Sequence, residues 1–151
     1  MLVALLFAVA AQTDFGVRSV PGEAGVQRRE PAGRTDPSGS FLCTVAHVTD
    51  GDTFRCTDGT RVRLSAIDTP EMPGSCRPGR TCAPGNPYAA RAELVRLAGG
   101  RTVRCEPVGM SYDRVAAWCS ARGVDLSCAM VRSGHAIRLP KHDRAGRLCT
   151  R

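Results

Sequence analysis

The fold of this protein is decided by the stretch Arg61-Val62-Arg63-Leu64-Ser65-Ala66-Ile67-Asp68-Thr69-Pro70-Glu71. Polar and apolar side chains alternate along its first half, with a slip before Ile67, and this period of two predicts a half-buried β-strand over residues 61–67. Pro70 ends the strand, because its nitrogen cannot donate to a sheet ladder and its ring disfavours a helical residue before it. The stretch therefore begins as a strand and ends in two carboxylates, Asp68 and Glu71.

Two further strands are predicted upstream. Residues 41–48 and 52–57 have the composition of strands, and Asp50-Gly51 lies between them as a turn. Asp58-Gly59 is a strong hairpin signal, so residues 52–57 should pair with residues 61–67. Short turns alone therefore predict three consecutive antiparallel strands.

A helix is predicted after a loop at residues 72–86, which is too rich in proline and glycine for regular structure. Asn86 is a favourable N-cap and Pro87 suits the first helical position. The helix then runs over residues 88–98 and ends at Gly99-Gly100. Its expected apolar face consists of Ala89, Ala92, Leu94 and Leu97.

The remaining elements are strands over residues 102–107 and 115–121 and a short second helix. Asp125 caps that helix, which runs through Val131 and is closed by Gly134. Three strands, a helix, two strands and a helix predict a mainly β, α+β fold: a five-stranded OB-fold barrel flanked by two or three helices. The surface of such a barrel commonly binds oligonucleotides or oligosaccharides.

The pattern predicts four segments along the chain. Residues 1–11 resemble a secretory signal peptide, since an apolar run too short to span a bilayer is followed by small residues. Residues 12–40 are predicted to be a disordered linker, residues 41–140 the globular domain and residues 141–151 a polar tail. We therefore expect a secreted or periplasmic monomer that has no membrane contact once the signal is removed.

Eight cysteines agree with export. None belongs to a Cys-x-x-Cys pair, which argues against structural zinc, and disulfides in an oxidising compartment are the better interpretation. Connectivity does not follow from sequence, because eight cysteines allow 105 pairings. The pairing hypothesised here is sequential: Cys43–Cys56, Cys76–Cys82, Cys105–Cys119 and Cys128–Cys149.

Charge indicates the kind of partner. The formal net charge is +7, and residues 1–39 carry four basic and four acidic side chains, so the excess lies in residues 40–151. A domain this basic is typical of proteins that bind a polyanion, such as nucleic acid, a sulfated sugar or an anionic membrane. The alternative is that a proteome rich in arginine gives every protein this excess.

The two ends of the predicted hairpin bring two aspartates together. Asp52 opens one strand and Asp68 closes its partner, so antiparallel pairing places both at the same end of the sheet. Like charges this close repel unless a cation lies between them, and oxygen ligands select calcium or magnesium. An EF-hand loop starting at Asp50 is excluded, because position 12 is an arginine. Arg63 and Arg114 then suit a phosphate brought to the metal.

Four segments together resemble the thermonuclease (staphylococcal-nuclease-like) family, in order and at similar spacing over residues 41–140. They are Val48-Thr49-Asp50-Gly51-Asp52-Thr53-Phe54, Val62-Arg63-Leu64-Ser65-Ala66-Ile67-Asp68-Thr69-Pro70-Glu71, Tyr112-Asp113-Arg114 and Met130-Val131-Arg132-Ser133-Gly134. The family is an OB-fold barrel with helices. Its members are typically calcium-dependent phosphodiesterases that act on DNA and RNA, are commonly secreted, and leave 3′-phosphate ends.

The resemblance also implies roles for seven residues. The carboxylates of Asp52 and Asp68 and the backbone carbonyl of Thr69 would ligate calcium. Glu71 would orient or deprotonate the attacking water. Arg63 and Arg114 would bind the phosphate, and Tyr112 would contact a terminal phosphate or sugar.

Two features depart from the family pattern. Its usual Tyr-Gly-Arg is Tyr112-Asp113-Arg114 here, which puts an acid beside a phosphate-binding arginine. Tyrosines that stack on a base have no counterpart in residues 135–140, so base preference is left open. The alternative function is a catalytically inactive OB-fold module that only binds nucleic acid. A disulfide-rich structural protein would leave the charge and the motifs unexplained.

Other side chains carry weaker signals. Trp118 lies in a predicted strand, where core packing is favoured over base stacking. Arg77 and Arg80 follow Glu71 in a loop, where contact with a substrate backbone and simple solvation are equally compatible with the sequence.

Overall fold

The computed structural model describes residues 39–150 of the chain, and β-strands dominate this part. In chain order the strands are β1 (Phe41–Val48), β2 (Thr53–Cys56), β3 (Arg61–Leu64), β4 (Ile67–Asp68), β5 (Thr102–Ser111), β6 (Arg114–Ala121), β7 (Val124–Asp125) and β8 (Ile137–Arg138). The helices are α1 (Pro87–Ala98), α2 (Leu126–Arg132) and a single 3₁₀ turn (Pro140–His142).

Five of these strands close into a barrel. Neighbouring strands run in the order β3-β2-β1-β5-β6, and β3 also pairs with β6. The closing pair is parallel, with Val62 opposite Val115 and Leu64 opposite Ala117, whereas the other pairs are antiparallel. A closed barrel leaves none of its five strands as a free edge. The predicted α+β fold, an OB-fold-like barrel with helices, is confirmed.

The third strand is shorter than predicted. β3 ends at Leu64, and the chain turns at Ser65 and Ala66 before β4 pairs with β8 in a separate two-stranded sheet. Ala66 has a φ of 63°, a left-handed conformation that L-residues seldom adopt. The slip in the alternation before Ile67 is this turn. The strand predicted over residues 102–107 is β5 in the structure. It is longer than predicted, because it continues past a bulge near Pro107 to Ser111.

The helices begin where the sequence placed them. The side chain of Asn86 accepts hydrogen bonds from the first turn of α1, and that of Asp125 accepts one from the Cys128 amide. The predicted apolar face of α1 is partly wrong: Ala92 is exposed, and Ala90, Leu94 and Ala98 are the buried residues. Small or apolar residues occur on several sides of this helix, so periodicity did not separate the faces.

The barrel interior and the inner faces of both helices form one core. Its largest fully buried side chains include Phe54, Leu64, Ile67, Leu94 and Met130. Trp118 is buried as predicted, with the Arg147 guanidinium 5.0 Å from its ring centroid.

All four predicted disulfides are confirmed. Cys43–Cys56 joins β1 to β2, Cys105–Cys119 joins β5 to β6, Cys76–Cys82 closes a loop, and Cys128–Cys149 ties α2 to the C-terminal segment. No free cysteine occurs in residues 39–150. Four disulfides indicate that the protein folds in an oxidising compartment.

The segment predicted as a polar tail folds back onto the barrel. Leu148 is buried, Arg147 forms an ion pair with Glu106, and Cys149 is in a disulfide. The predicted signal peptide and all but the last two residues of the predicted linker lie outside the described residues. Within residues 39–150, no helix is long and apolar enough to cross a membrane.

Candidate active site

The two aspartates predicted at one end of the hairpin are buried side by side. Asp52 precedes β2 and Asp68 ends β4, and they are 3% and 4% exposed. One guanidinium spans them: Arg63 Nη1 donates to Asp52 Oδ2 at 2.6 Å, and Arg63 Nη2 donates to Asp68 Oδ1 at 3.1 Å. Nearly full burial makes this a fork between two desolvated carboxylates, a geometry that only arginine supplies.

Local backbone structure brings these groups together. Thr53 is opposite Arg63 in the β2–β3 ladder, and the Leu64 amide donates to the Asp52 carbonyl at 2.8 Å. The left-handed Ala66 then turns the chain so that Asp68 lies beside Arg63. Buried Ser127 of α2 supports the turn by donating to the carbonyl of Ser65 at 2.9 Å. The interrupted strand is therefore what positions the second aspartate.

Gly51 allows the turn before Asp52 to approach Thr69. A Cβ at Gly51 would lie 2.9 Å from the Thr69 Oγ1 and 2.8 Å from the Cβ of Ala90 on α1, which is closer than atoms normally approach. The Asp50 side chain also closes the turn by accepting from the Asp52 amide at 3.0 Å. Close backbone approach, rather than an unusual dihedral, requires glycine here.

Arg114 joins the same cluster from β6. Its Nη1 donates to Thr53 Oγ1 at 3.0 Å, and that hydroxyl donates to Asp52 Oδ1 at 2.8 Å. The carboxylate of the neighbouring Asp113 forms an ion pair with Arg61. The parallel β3–β6 pairing places both arginines, Arg63 and Arg114, next to Asp52.

Glu71 is linked to Asp68 through Arg80, whose role the sequence left open. Arg80 Nη1 donates to Glu71 Oε1 at 3.1 Å, and Arg80 Nη2 lies 2.8 Å from both Asp68 oxygens. The Arg80 side chain is 41% exposed, and that of Glu71 is 22% exposed. One continuous chain of hydrogen bonds therefore runs Arg114–Thr53–Asp52–Arg63–Asp68–Arg80–Glu71.

Tyr112 lies at the rim and not in the cluster. It is 73% exposed, has a φ of 57°, and contacts Arg77, whose Nη1 donates to its hydroxyl at 2.7 Å and whose Cζ is 4.6 Å from its ring centroid. A cleft of about 720 Å³ is lined by this pair together with Glu71, Arg80 and Arg114. The cleft is open, polar and mainly basic.

The donor set suits a hard cation. Asp52 and Asp68 offer oxygen ligands near Thr69, and oxygen-only ligands favour calcium or magnesium over zinc. All four carboxylate oxygens accept hydrogen bonds from Thr53, Arg63 or Arg80, which a bound cation would have to displace. Within residues 39–150, no three His, Cys, Asp or Glu side chains form a metal-binding group. The predicted calcium ligands are two carboxylates and one backbone carbonyl, so they are not a group of three such side chains. Burial raises the pKa of Asp52 to about 7, against the opposing attraction of Arg63.

This pKa predicts that Asp52→Asn stabilises the metal-free protein. The raised pKa means that the fold favours the protonated form of Asp52. The stability that protonated Asp52 contributes is fully present below about pH 4 and is lost as the pH rises through about 7. Asparagine removes the buried charge, so in chelator at about pH 8 we expect a gain on the order of 1 kcal/mol, a few degrees in Tm.

Thermal unfolding in chelator measures this effect, with Asp58→Asn as the control because Asp58 is exposed in the hairpin turn. The gain at position 52 should shrink towards about pH 4, while the control should change little at either pH. A loss of stability in Asp52→Asn at the higher pH would mean that the ionised Asp52–Arg63 pair is net favourable.

Sequence reasoning missed Thr53 and left Arg80 undecided. Thr53 follows Asp52 directly, and a hydroxyl beside a buried carboxylate was a usable signal. Arg80 had no such signal, because its position depends on how the Cys76–Cys82 loop folds over Glu71.

The fold and the cluster define a class: an OB-fold-like barrel that carries buried aspartates and arginines facing a basic cleft. No protein-family model matches the chain, and a search of curated proteins finds no match. The function is therefore inferred from the residues of the cluster.

Proposed function

We propose that this protein is a secreted, calcium-dependent phosphodiesterase that hydrolyses DNA or RNA with low sequence specificity and leaves 3′-phosphate ends. One observation carries the proposal: a single hydrogen-bond chain joins the two buried aspartates, Arg63, Arg114 and Glu71 at the wall of a basic cleft. Four of these residues lie within positions 52–71 and Arg114 joins them from β6, and a phosphodiester reaction uses each of their chemistries.

The proposed roles follow from the chemistry of each group. Calcium held by Asp52, Asp68 and the Thr69 carbonyl would polarise a phosphoryl oxygen. Arg63 and Arg114 donate to the phosphate oxygens, whose negative charge grows as water attacks. Both are half-buried, so their hydrogen bonds form in a partly desolvated site, where they are stronger than in water.

Glu71 accepts the proton of the attacking water. The water oxygen bonds to phosphorus, the bond from phosphorus to the 5′ oxygen breaks, and that oxygen takes a proton from solvent to leave as a 5′-hydroxyl. The Glu71 carboxylate is 22% exposed and faces the cleft, so water reaches it. Such general-base assistance contributes about 10²–10⁴-fold.

Low specificity fits a site whose proposed contacts with the substrate are contacts with phosphate. Phosphate contacts position a nucleic acid without conveying its sequence. The four disulfides fit a secreted protein, and the excess positive charge fits a nucleic-acid substrate.

The test is digestion of single- and double-stranded DNA and of RNA by the oxidised full chain, with calcium, with magnesium and with chelator. Cleavage that requires calcium and yields 3′-phosphate ends is expected. Binding without cleavage, by protein shown to be folded, would instead support the inactive OB-fold binding module.

Arg114→Lys is expected to reduce kcat by about 10²-fold while Tm changes little. Lysine keeps the charge but loses the planar fork that can donate twice to a phosphate. Arg63→Lys should reduce kcat as far and also lower stability, since one ammonium cannot span both buried aspartates.

Arg61→Lys is the matched control for Arg114→Lys. Arg61 lines the same cleft but pairs with Asp113, so its lysine variant should keep kcat within about two-fold. Steady-state kinetics and thermal unfolding of the three variants check the prediction. Equal losses of activity and stability in Arg114→Lys would indicate a structural role for Arg114.

A further inference from the structure

The loop between β4 and α1 presents two arginines to the cleft. The Cys76–Cys82 disulfide closes it, with Arg77 against Tyr112 and Arg80 against the carboxylates of Asp68 and Glu71. The two arginines are three residues apart and carry the same charge. Their partners nevertheless differ, since one binds a rim tyrosine and the other the buried cluster.

Arg80 contacts the same oxygens that the proposed reaction needs. Its Nη2 is 2.8 Å from both carboxylate oxygens of Asp68, and its Nη1 donates to Glu71. A cation ligated by Asp68 and a water held by Glu71 would compete with this guanidinium for the same lone pairs. Asp68 Oδ1 also accepts from Arg63 Nη2 at 3.1 Å, and the Asp68 side chain is only 5% exposed, so its carboxylate has little free surface for a cation while Arg80 is in place.

We propose that Arg80 is an exchangeable counter-ion that becomes a substrate contact. In the metal-free protein it forms ion pairs with Asp68 and Glu71; when a divalent cation binds Asp68, Arg80 is released and donates to a phosphate of the nucleic acid. The inference rests on the proposed function and assigns to it a residue that the motifs do not contain.

Two features of the loop make this exchange feasible. The Arg80 side chain is 41% exposed, so it can leave the carboxylates without unpacking the core. The disulfide keeps the loop closed, so a released guanidinium stays near the cleft that Arg63 and Arg114 line. A guanidinium cannot lose its charge in this setting, and a phosphate is the anion that would replace the lost carboxylates.

The exchange predicts that removing Arg80 has opposite effects on the two ligands. Arg80→Gln should tighten calcium binding by about five- to ten-fold, because the cation no longer displaces an ion pair. At saturating calcium, the KM for single-stranded DNA should rise by about five-fold, because a phosphate contact is lost. Arg80→Lys should restore part of both effects.

Arg77→Gln is the matched control, since it removes the same charge from the same loop without touching a carboxylate. Isothermal titration of calcium alone into the full oxidised chain should show a change of less than about two-fold in this variant. DNA cleavage kinetics and Tm of all four proteins complete the comparison. Equal calcium affinity in wild type and Arg80→Gln, or equal tightening in both glutamine variants, would overturn the inference.

The two hypotheses fail in different ways. Calcium-dependent cleavage by the wild type with no special effect of Arg80→Gln would overturn only the role of Arg80. No calcium binding by the wild type, Arg80→Gln or Arg77→Gln would overturn both the role of Arg80 and the calcium-dependent mechanism. Calcium binding by Arg80→Gln alone would show that Arg80 blocks the cation site of the native chain, which would overturn both the exchange and the calcium-dependent mechanism.

Discussion

Glu71→Gln is expected to lower kcat for DNA cleavage by about 10²–10⁴-fold, the range that general-base assistance contributes. Glutamine has the same shape and can still accept the hydrogen bond that Arg80 Nη1 donates to Oε1. What it cannot do is take a proton from water. The change therefore removes one chemical step and leaves the contacts of the loop and the cluster in place.

The expected signature is a fall in kcat with KM and Tm close to those of the wild type and with calcium binding retained. Glu71 is not a proposed calcium ligand and its side chain is partly exposed, so the cation site and the core should both persist. A variant that lost calcium binding as well would indicate that Glu71 is a ligand and not the base.

Glu93→Gln is the matched control for this experiment. Glu93 lies on α1, where its carboxylate accepts two hydrogen bonds from Arg96, but it is outside the cleft. Its substitution likewise removes the charge of a glutamate that is paired with an arginine, so it reports what the loss of that charge does by itself. Wild-type kcat in Glu71→Gln would exclude Glu71 as the base.

Replacing Cys105 and Cys119 by alanine is expected to cost about 3 kcal/mol of unfolding free energy, a large part of the 5–15 kcal/mol typical of a domain. The two cysteines lie directly opposite each other in β5 and β6 and are fully buried. Without the bond, the unfolded chain gains the freedom of the loop between them, while the folded barrel still holds the strands in register.

The Cys76→Ala/Cys82→Ala variant should behave in the opposite way. Its loop is exposed and lies outside the barrel, so the folded state also gains freedom when the bond is removed, and the net loss of stability should be small. Arg80 would no longer be held beside Asp68, so the KM for DNA and the calcium affinity should change instead.

Chemical denaturation measures the first effect and kinetics with calcium titration measure the second. A barrel that kept its full stability without Cys105–Cys119 would show that β5–β6 pairing in the unfolded ensemble already restricts the chain. A large loss of stability without Cys76–Cys82 would mean that its loop packs as part of the core.

Much of the fold could be predicted from local signals. Asp58-Gly59 determined which strands pair, and Asn86 and Asp125 determined where both helices begin. The even number of cysteines indicated disulfides, and their sequential pairing was a hypothesis that the structure confirmed. The residue at which β3 ends could not be predicted from the sequence, because an alanine in the left-handed conformation, such as Ala66, has no sequence signature comparable to that of glycine.

The candidate site, like the fold, was predicted only where local sequence signals determine it. The meeting of Asp52 and Asp68 was predicted from the hairpin, but the hairpin register places Leu64 opposite Asp52, and the turn at Ala66 is what brings Asp68 back. Arg114 was placed by resemblance, and its contact with Thr53 across 61 positions depends on the parallel closure of the barrel.

The sequence by itself determined the strand order of the first three strands, the helix starts, the disulfide chemistry and the residue types of a cation and phosphate site. Only the tertiary structure decided that Asp113 pairs with Arg61 and that Arg80, not solvent, meets Asp68 and Glu71. The physical reason is the range of the interactions. Backbone propensities and turns act over a few residues, whereas the partner of an arginine side chain depends on which carboxylates the closed barrel and its disulfide loop bring within hydrogen-bond distance.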